Sequence, residues 1–113
     1  MCKDILSMNN IQLNVGPMGK EEAIRYVGQI LVDQGYVDTS YIEKMLERER
    51  VTSTYMGNFV AIPHGVEESK KNVIASGISV VTVPNGVDFD GNTVKILIGI
   101  AGKNDEHLEI LSQ

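Results

Sequence analysis

The spacing of apolar residues changes along the chain and predicts a strand followed by a helix. Positions 11–15 alternate apolar and polar residues, which is typical of a half-buried strand. From Lys20 the period lengthens to that of an amphipathic helix, which we expect to end at Gly35 because glycine readily takes a left-handed conformation there. The apolar positions of this helix are Ala23, Ile24, Val27, Ile30 and Leu31.

A second helix is predicted after a short link. Ser40 and Glu43 have the spacing of a capping box, and Asp38 and Thr39 are alternative caps. One apolar stripe is formed by Tyr41 or Ile42 with Met45 and Leu46. The charged positions Glu43, Lys44, Glu47, Glu49 and Arg50 are expected mostly to face water. Residues 51–58 are too β-branched and polar for a helix and end in a Gly-Asn turn.

The second half of the chain is rich in predicted strands. Positions 59–62 form a short apolar strand that Pro63 ends. Positions 73–83 are the longest extended segment, with Ile74, Ile78 and Val80 on one face, and turns are predicted at 84–86 and 90–92. The run 94–101 is apolar enough for a central strand that is covered on both faces, and 106–111 resembles the start of a helix. Alternating strands and helices of this kind predict α/β or α+β layers.

Composition narrows the classes of function. The 113 residues, of which 42% are hydrophobic, suit one globular domain, and the single cysteine (Cys2) excludes an internal disulfide and a multi-cysteine metal site. A net charge of -5 argues against nucleic acid or anionic lipid as a partner, because only the Arg48/Arg50 and Lys70-Lys71 pairs are locally basic. The apolar run 96–101 is far shorter than the roughly 18 residues of a membrane span. We therefore expect a cytoplasmic protein without direct membrane insertion.

The two histidines are the candidate chemical groups, and each lies at the end of a predicted element. His64 follows a strand and is flanked by Pro63 and Gly65, whereas His107 follows Asn104-Asp105 at the start of the last helix. Ends of strands and helices are common positions for binding groups. Either histidine could instead be an ordinary structural residue. Two histidines without a third ligand make a weak metal site, so no metal is predicted.

Several motifs, taken in order, give the chain a family resemblance. The segments are 41–49 (YIEKMLERE), 53–58 (STYMGN), 61–65 (AIPHG), 86–89 (GVDF), 98–101 (IGIA) and 106–108 (EHL). This series resembles the mannitol/fructose-type enzyme IIA domain of the bacterial phosphoenolpyruvate-dependent sugar phosphotransferase system, with the mannitol subtype closest. The resemblance implies a mixed central β-sheet flanked by helices in a single layered sandwich domain over residues 1–113. It also implies that the family's C-terminal helical part is missing beyond Gln113.

The resemblance further implies a phosphoryl carrier. His64 would accept a phosphoryl group from the phosphocarrier protein HPr as a tele-phosphohistidine and pass it to a cysteine of IIB for uptake and phosphorylation of mannitol or a related sugar. Its position matches the histidine of the family's Pro-His-Gly motif, while His107 and Arg48 match the residues that stabilise the phosphoryl group. No cofactor is implied. The alternative is a regulatory module that binds a partner according to the phosphorylation of His64, without sugar transport.

Physical chemistry is consistent with these roles. A neutral imidazole offers a lone pair to phosphorus, and the resulting phosphoryl group can leave again. Phosphoryl transfer depends mostly on positioning and on stabilisation of charge at the equatorial oxygens. Arg48 offers a permanent charge and a planar set of donors for these oxygens. His107 could donate an N–H at a helix N-terminus.

Overall fold

In the part of the chain that the structure describes, a sheet of five strands of mixed direction is accompanied by two α-helices. The structure is a computed structural model, and it describes residues 7–51, 53–65 and 72–102. A 3₁₀ turn at Met8–Asn10 precedes β1 (Ile11–Gln12), α1 (Lys20–Asp33), α2 (Ser40–Val51), β2 (Tyr55–Gly57), β3 (Val60–Ala61), β4 (Gly77–Phe89) and β5 (Asn92–Ala101). The predicted helix at 106–111 lies outside the described residues.

The order of the strands places β5 at the centre of the sheet. The order is β1-β4-β5-β3-β2, in which β1 is parallel to β4 and β3 is parallel to β5. The pairs β4–β5 and β2–β3 are antiparallel. The prediction of an α/β fold with a mixed central sheet is confirmed. Because β3 and β5 are parallel, their carboxyl ends meet at the same edge of the sheet.

Helix α1 packs against alternate residues of β4, and a glycine lies where α1 meets α2. Alternate residues of β4 are buried from Gly77 to Val83. The Ser79 hydroxyl donates to the Val27 carbonyl of α1 at 2.9 Å. A Cβ atom at Gly28 of α1 would lie 2.9 Å from Ile42 of α2, so the glycine allows the two helices to approach closely. The residue pattern therefore sets the distance between the helices as well as their apolar faces.

The predicted helices are present, and their ends follow the expected chemistry. The apolar positions Ala23, Ile24, Val27 and Leu31 of α1 are buried. Gly35 lies just past the helix with a φ of 81°, as predicted. Of the alternative caps for α2, Asp38 accepts a hydrogen bond from the backbone N–H of Ser40 at 3.0 Å. This bond satisfies one of the N–H groups that the first turn of a helix leaves without a partner.

Three details of the strand predictions were wrong. The predicted strand at 11–15 is reduced to Ile11–Gln12, because Asn14 has a φ of 57° that ends the extended conformation. The predicted turn at 84–86 instead lies within β4, where a register shift between Thr82 and Val87 accommodates the extra residues. The long strand consequently runs from Gly77 to Phe89 rather than over 73–83.

The turn at 90–92 and the central strand agree with the sequence. Asp90 and Gly91 have φ values of 55° and 95°, as a two-residue hairpin turn requires, and Phe89 pairs with Asn92. β5 follows, between β4 and β3. It is buried or half-buried from Leu97 onward, whereas Ile96 is exposed.

Candidate active site

The segment that follows β3 runs alongside the carboxyl end of β5. His64 forms a parallel bridge with Ile100, and the N–H of Ile100 donates to the carbonyl of Pro63 at 3.0 Å. The pairing of β3 with β5 thus continues through the proline and delivers the histidine to the edge of the sheet. His64 is half-buried there. The predicted position just beyond an apolar strand is observed.

The contact made by Nδ1 of His64 determines which ring nitrogen carries the proton. Nδ1 lies 2.9 Å from the carbonyl oxygen of Ile62. Since a carbonyl oxygen can only accept, Nδ1 must carry the proton. In the neutral ring the lone pair then belongs to Nε2, which is the nitrogen able to act as a nucleophile. The backbone of the same loop therefore selects the tautomer.

Tyr41, at the start of α2, joins the histidine loop to the central strand. Its hydroxyl donates to the carbonyl oxygen of Ile100 at 2.9 Å and accepts from the N–H of Gly65 at 3.0 Å. Burial raises the pKa of Tyr41 to about 12, with a smaller opposing effect from the Gly65 hydrogen bond. The sequence indicated only an apolar position here, because nothing in the pattern shows which backbone groups a hydroxyl will meet.

Arg48 lies on the same helix as Tyr41, seven residues further on. At 3.6 residues per turn this spacing places both residues on one face, about 10 Å apart along the axis. Arg48 is half-buried in the last turn of α2. Its position on the face that carries Tyr41 is compatible with the predicted role. His107 lies outside the described residues.

Glu49 was predicted to face water, and that prediction was wrong. The residue is only 6% exposed. Both carboxylate oxygens lie 3.1 Å from the N–H of Thr54, and the Thr54 hydroxyl donates to one of them. Lys20 contributes an ion pair at 3.2 Å. The helix ends two residues after Glu49 and the chain turns back over the carboxylate, which the helical pattern alone could not indicate.

The Glu49 cluster is connected to the histidine loop. The carbonyl of Thr54 accepts from the N–H of Ile62 at 3.0 Å, and the carbonyl of Ile62 accepts from His64. The carboxylate at the end of α2 thereby fixes Thr54, and Thr54 fixes the residue that orients the imidazole. We conclude that the histidine is held by two groups of contacts, one through Tyr41 and one through Thr54.

Lys20 extends the Glu49 cluster to the β4–β5 hairpin. Its Nζ lies 2.7 Å from the carboxylate of Asp90 and 5.4 Å from the centre of the Phe89 ring. Burial opposes the charge on Lys20, but hydrogen bonds to Asp90 and Glu49 outweigh it and raise its pKa. Lys20 therefore connects the start of α1 to the end of α2 and to the hairpin through its ion pairs.

The described residues hold neither a metal-ligand cluster nor a membrane-spanning helix. Within residues 7–51, 53–65 and 72–102, no three His, Cys, Asp or Glu side chains lie close enough together to hold a metal ion. In that part of the chain no helix has the length and apolar character needed to span a membrane.

Comparison with known proteins identifies the family. The family model described as "Phosphoenolpyruvate-dependent sugar phosphotransferase system, EIIA 2" matches residues 4–113. The chain belongs to this family. It is therefore a IIA component of the phosphotransferase system, and the resemblance seen in the sequence is confirmed.

Named relatives of the IIA family agree with this assignment. The mannitol-specific phosphotransferase enzyme IIA component of Geobacillus stearothermophilus is 63% identical over 114 residues, covering 100% of this chain and 79% of the relative. The corresponding component of Bacillus subtilis is 57% identical, covering 96% of this chain and 76% of the relative.

A solved structure of the IIA family has the same fold. It is the complex of enzyme IIA for mannitol with phosphorylated enzyme IIB from Escherichia coli. The match has a TM-score of 0.88 and 39% identity, and it covers 95% of this chain and 76% of that chain. The roles of His64, His107 and Arg48 stay predictions.

Proposed function

We propose that this IIA chain is a mannitol-specific phosphoryl carrier of the cytoplasm and that His64 is its acceptor. The phosphoryl group would come from phosphorylated HPr and go to a cysteine of IIB. Residues 1–113 would act as one IIA domain. The observation that carries the proposal is the 2.9 Å contact between Nδ1 of His64 and the carbonyl of Ile62, since it leaves the lone pair on Nε2.

The chemistry of the two transfers balances without a cofactor. Nε2 attacks phosphorus, and the bond between phosphorus and HPr breaks as the Nε2–P bond forms. The ring then carries positive charge, which the hydrogen bond from Nδ1–H to the Ile62 carbonyl stabilises. In the second transfer the IIB thiolate attacks phosphorus, the Nε2–P bond breaks, and the ring returns to its neutral state.

The mannitol assignment rests on the named relatives. The IIA components of Geobacillus stearothermophilus and Bacillus subtilis are both mannitol-specific, and they are 63% and 57% identical to this chain. The Escherichia coli neighbour was solved bound to phosphorylated IIB, which supports IIB as the receiving partner. The acidic net charge of -5 is compatible with docking of partners that carry positive charge.

The proposal is tested by phosphorylation with labelled phosphoenolpyruvate, enzyme I and HPr. We expect the wild-type chain to gain one acid-labile phosphoryl group and His64→Ala to gain none while keeping its circular dichroism spectrum. His107→Ala should still be labelled, but more slowly. Labelling of His64→Ala at the wild-type rate would show that the acceptor assignment is wrong.

A second stage of the experiment tests the direction of transfer. Labelled wild-type protein is mixed with IIB for mannitol or with IIB for fructose. Rapid loss of label to the mannitol IIB supports the proposal. Label that stays on His64 with both IIB proteins would instead favour the regulatory alternative, and faster transfer to the fructose IIB would contradict the sugar assignment.

A further inference from the structure

The hydroxyl of Tyr41 occupies an unusual place between two paired backbone segments. In a parallel pair, a residue bridged to a partner is flanked by two hydrogen bonds, one on each side of the partner residue. For the bridge of His64 with Ile100, the first bond runs from the Ile100 N–H to the Pro63 carbonyl and is present at 3.0 Å. The second would run from the Gly65 N–H to the Ile100 carbonyl.

Tyr41 takes the place of that second bond. The Gly65 N–H donates to the tyrosine oxygen at 3.0 Å, and the tyrosine O–H donates to the Ile100 carbonyl at 2.9 Å. The hydroxyl thus satisfies both backbone groups while holding them apart by one oxygen atom. A side chain is therefore inserted between the two segments immediately next to His64.

We propose that Tyr41 is a positioning residue for the phosphoryl-acceptor histidine, because its hydroxyl lies between the Gly65 N–H and the carbonyl of β5 directly after the His64–Ile100 bridge. The inference rests on the proposed function of His64. Tyr41 is 3% exposed, so packing fixes its ring and the hydroxyl has a defined location. A tyrosine hydroxyl is protonated, and hence able to donate, throughout the neutral range.

Removal of the hydroxyl has a specific expected consequence. In Tyr41→Phe the Gly65 N–H and the Ile100 carbonyl can pair directly, which lets the ladder close by one step. The loop that carries His64 would then shift toward β5, and the contact between Nδ1 and the Ile62 carbonyl would change with it. A displacement of about 1 Å at a reacting group can lower a rate by roughly a hundredfold.

The test compares Tyr41→Phe with a matched control, Tyr36→Phe. Tyr36 is similarly buried and loses a comparable hydrogen bond, which it accepts at 2.9 Å from Asn10, the residue before β1. We expect kcat for phosphorylation by HPr to fall about tenfold to a hundredfold in Tyr41→Phe, with KM for HPr unchanged. Tyr36→Phe should keep the wild-type kcat.

Two nuclear magnetic resonance measurements separate positioning from a general loss of stability. The ¹⁵N shifts of the His64 ring should report the Nδ1–H tautomer in the wild-type chain and in Tyr36→Phe, and a changed tautomer population in Tyr41→Phe. Hydrogen exchange on the wild-type chain should show a protected Gly65 amide. This second measurement tests whether the Gly65 N–H is hydrogen-bonded in the wild-type chain, even if Tyr41→Phe does not fold.

The outcomes are distinct. An unchanged kcat and an unchanged tautomer in Tyr41→Phe overturn the inference, as does an equal loss of rate in both variants or an unprotected Gly65 amide in the wild-type chain. If the wild-type chain itself takes no label, the proposed function fails. The role of Tyr41 is then decided by the ring tautomer, and an unchanged tautomer overturns it.

Discussion

The carboxylate of Glu49 binds both the backbone N–H and the side-chain hydroxyl of Thr54. This contact holds the segment after α2 against the end of that helix. Thr54 in turn bonds Ile62, two residues before His64. A charged group with this many donors is stabilised strongly by them, and its removal leaves buried donors without acceptors.

We expect Glu49→Gln to lower the free energy of unfolding by about 2–3 kcal/mol, because the neutral amide also leaves Lys20 without one of its two carboxylate partners. Urea denaturation measures the change. The control is Glu47→Gln, an exposed position on the same helix, where a change of less than about 0.5 kcal/mol is expected. Equal effects at the two positions would mean that the buried carboxylate has no special part in stability.

Gly99 allows α1 to lie close to the central strand. A Cβ atom there would come within 2.5 Å of the Ser79 hydroxyl oxygen and 3.0 Å of the Val27 Cβ. We expect Gly99→Ala to destabilise the protein by about 1–3 kcal/mol, since the helix or the strand must move. Thermal unfolding checks this against Gly16→Ala, where no atom beyond the two adjacent residues lies within 4 Å of the added methyl group. A wild-type melting temperature for Gly99→Ala would show that the interface is more loosely packed than described.

The features that were predictable from the sequence are those set by local chemistry. The apolar stripe of α1, its end at Gly35 and the hairpin at Asp90-Gly91 all depend on residues close in the chain. The turn expected at 84–86 does not reverse the chain, because Thr82 and Val87 on either side of it both pair with β5, and the residues between them form a bulge in the strand.

The candidate site was predictable only in part, for the same reason. His64 stood out through its neighbours Pro63 and Gly65. Tyr41 did not, because its hydroxyl meets backbone groups that lie 24 and 59 residues away. Glu49 was misjudged because its partner Thr54 lies beyond the end of the helix, where helical periodicity no longer applies.

The raised pKa of Tyr41 predicts a loss of stability at high pH. In the unfolded chain a tyrosine ionises near pH 10, whereas in the folded protein Tyr41 stays neutral until about pH 12. The stabilisation is therefore complete below pH 10 and is lost as the pH rises toward 12. We expect the free energy of unfolding to fall by about 1.4 kcal/mol per pH unit in this window.

Urea denaturation of the wild-type chain and Tyr41→Phe isolates this effect from the other groups that titrate at high pH. The wild-type curve should fall more steeply between pH 10 and 12, and the difference between the two proteins should be constant below pH 9. Parallel curves throughout would show that Tyr41 ionises alike in the folded and unfolded chains.

Arg48 is predicted to stabilise the transferred phosphoryl group from its half-buried position on the Tyr41 face of α2. We expect Arg48→Ala to slow labelling of His64 about a hundredfold, and Arg48→Lys to recover part of the rate because it keeps the charge without the planar set of donors. The rates are measured by quenching the labelling reaction at successive times. Arg50→Ala, which removes an exposed arginine two residues away, should be labelled as the wild-type chain is. Equal rates for the two alanine variants would exclude a role for Arg48 in the transfer.

The parallel pairing of β3 with β5 has a consequence for the order in which the protein matures. His64 is the 64th of 113 residues, and the strand that supports it, β5, is made later, after the whole of β4. A nascent chain on the ribosome therefore carries the imidazole without the edge against which it is oriented. With His64 as the proposed acceptor, we expect the chain to take up phosphate only after β5 has docked beside it.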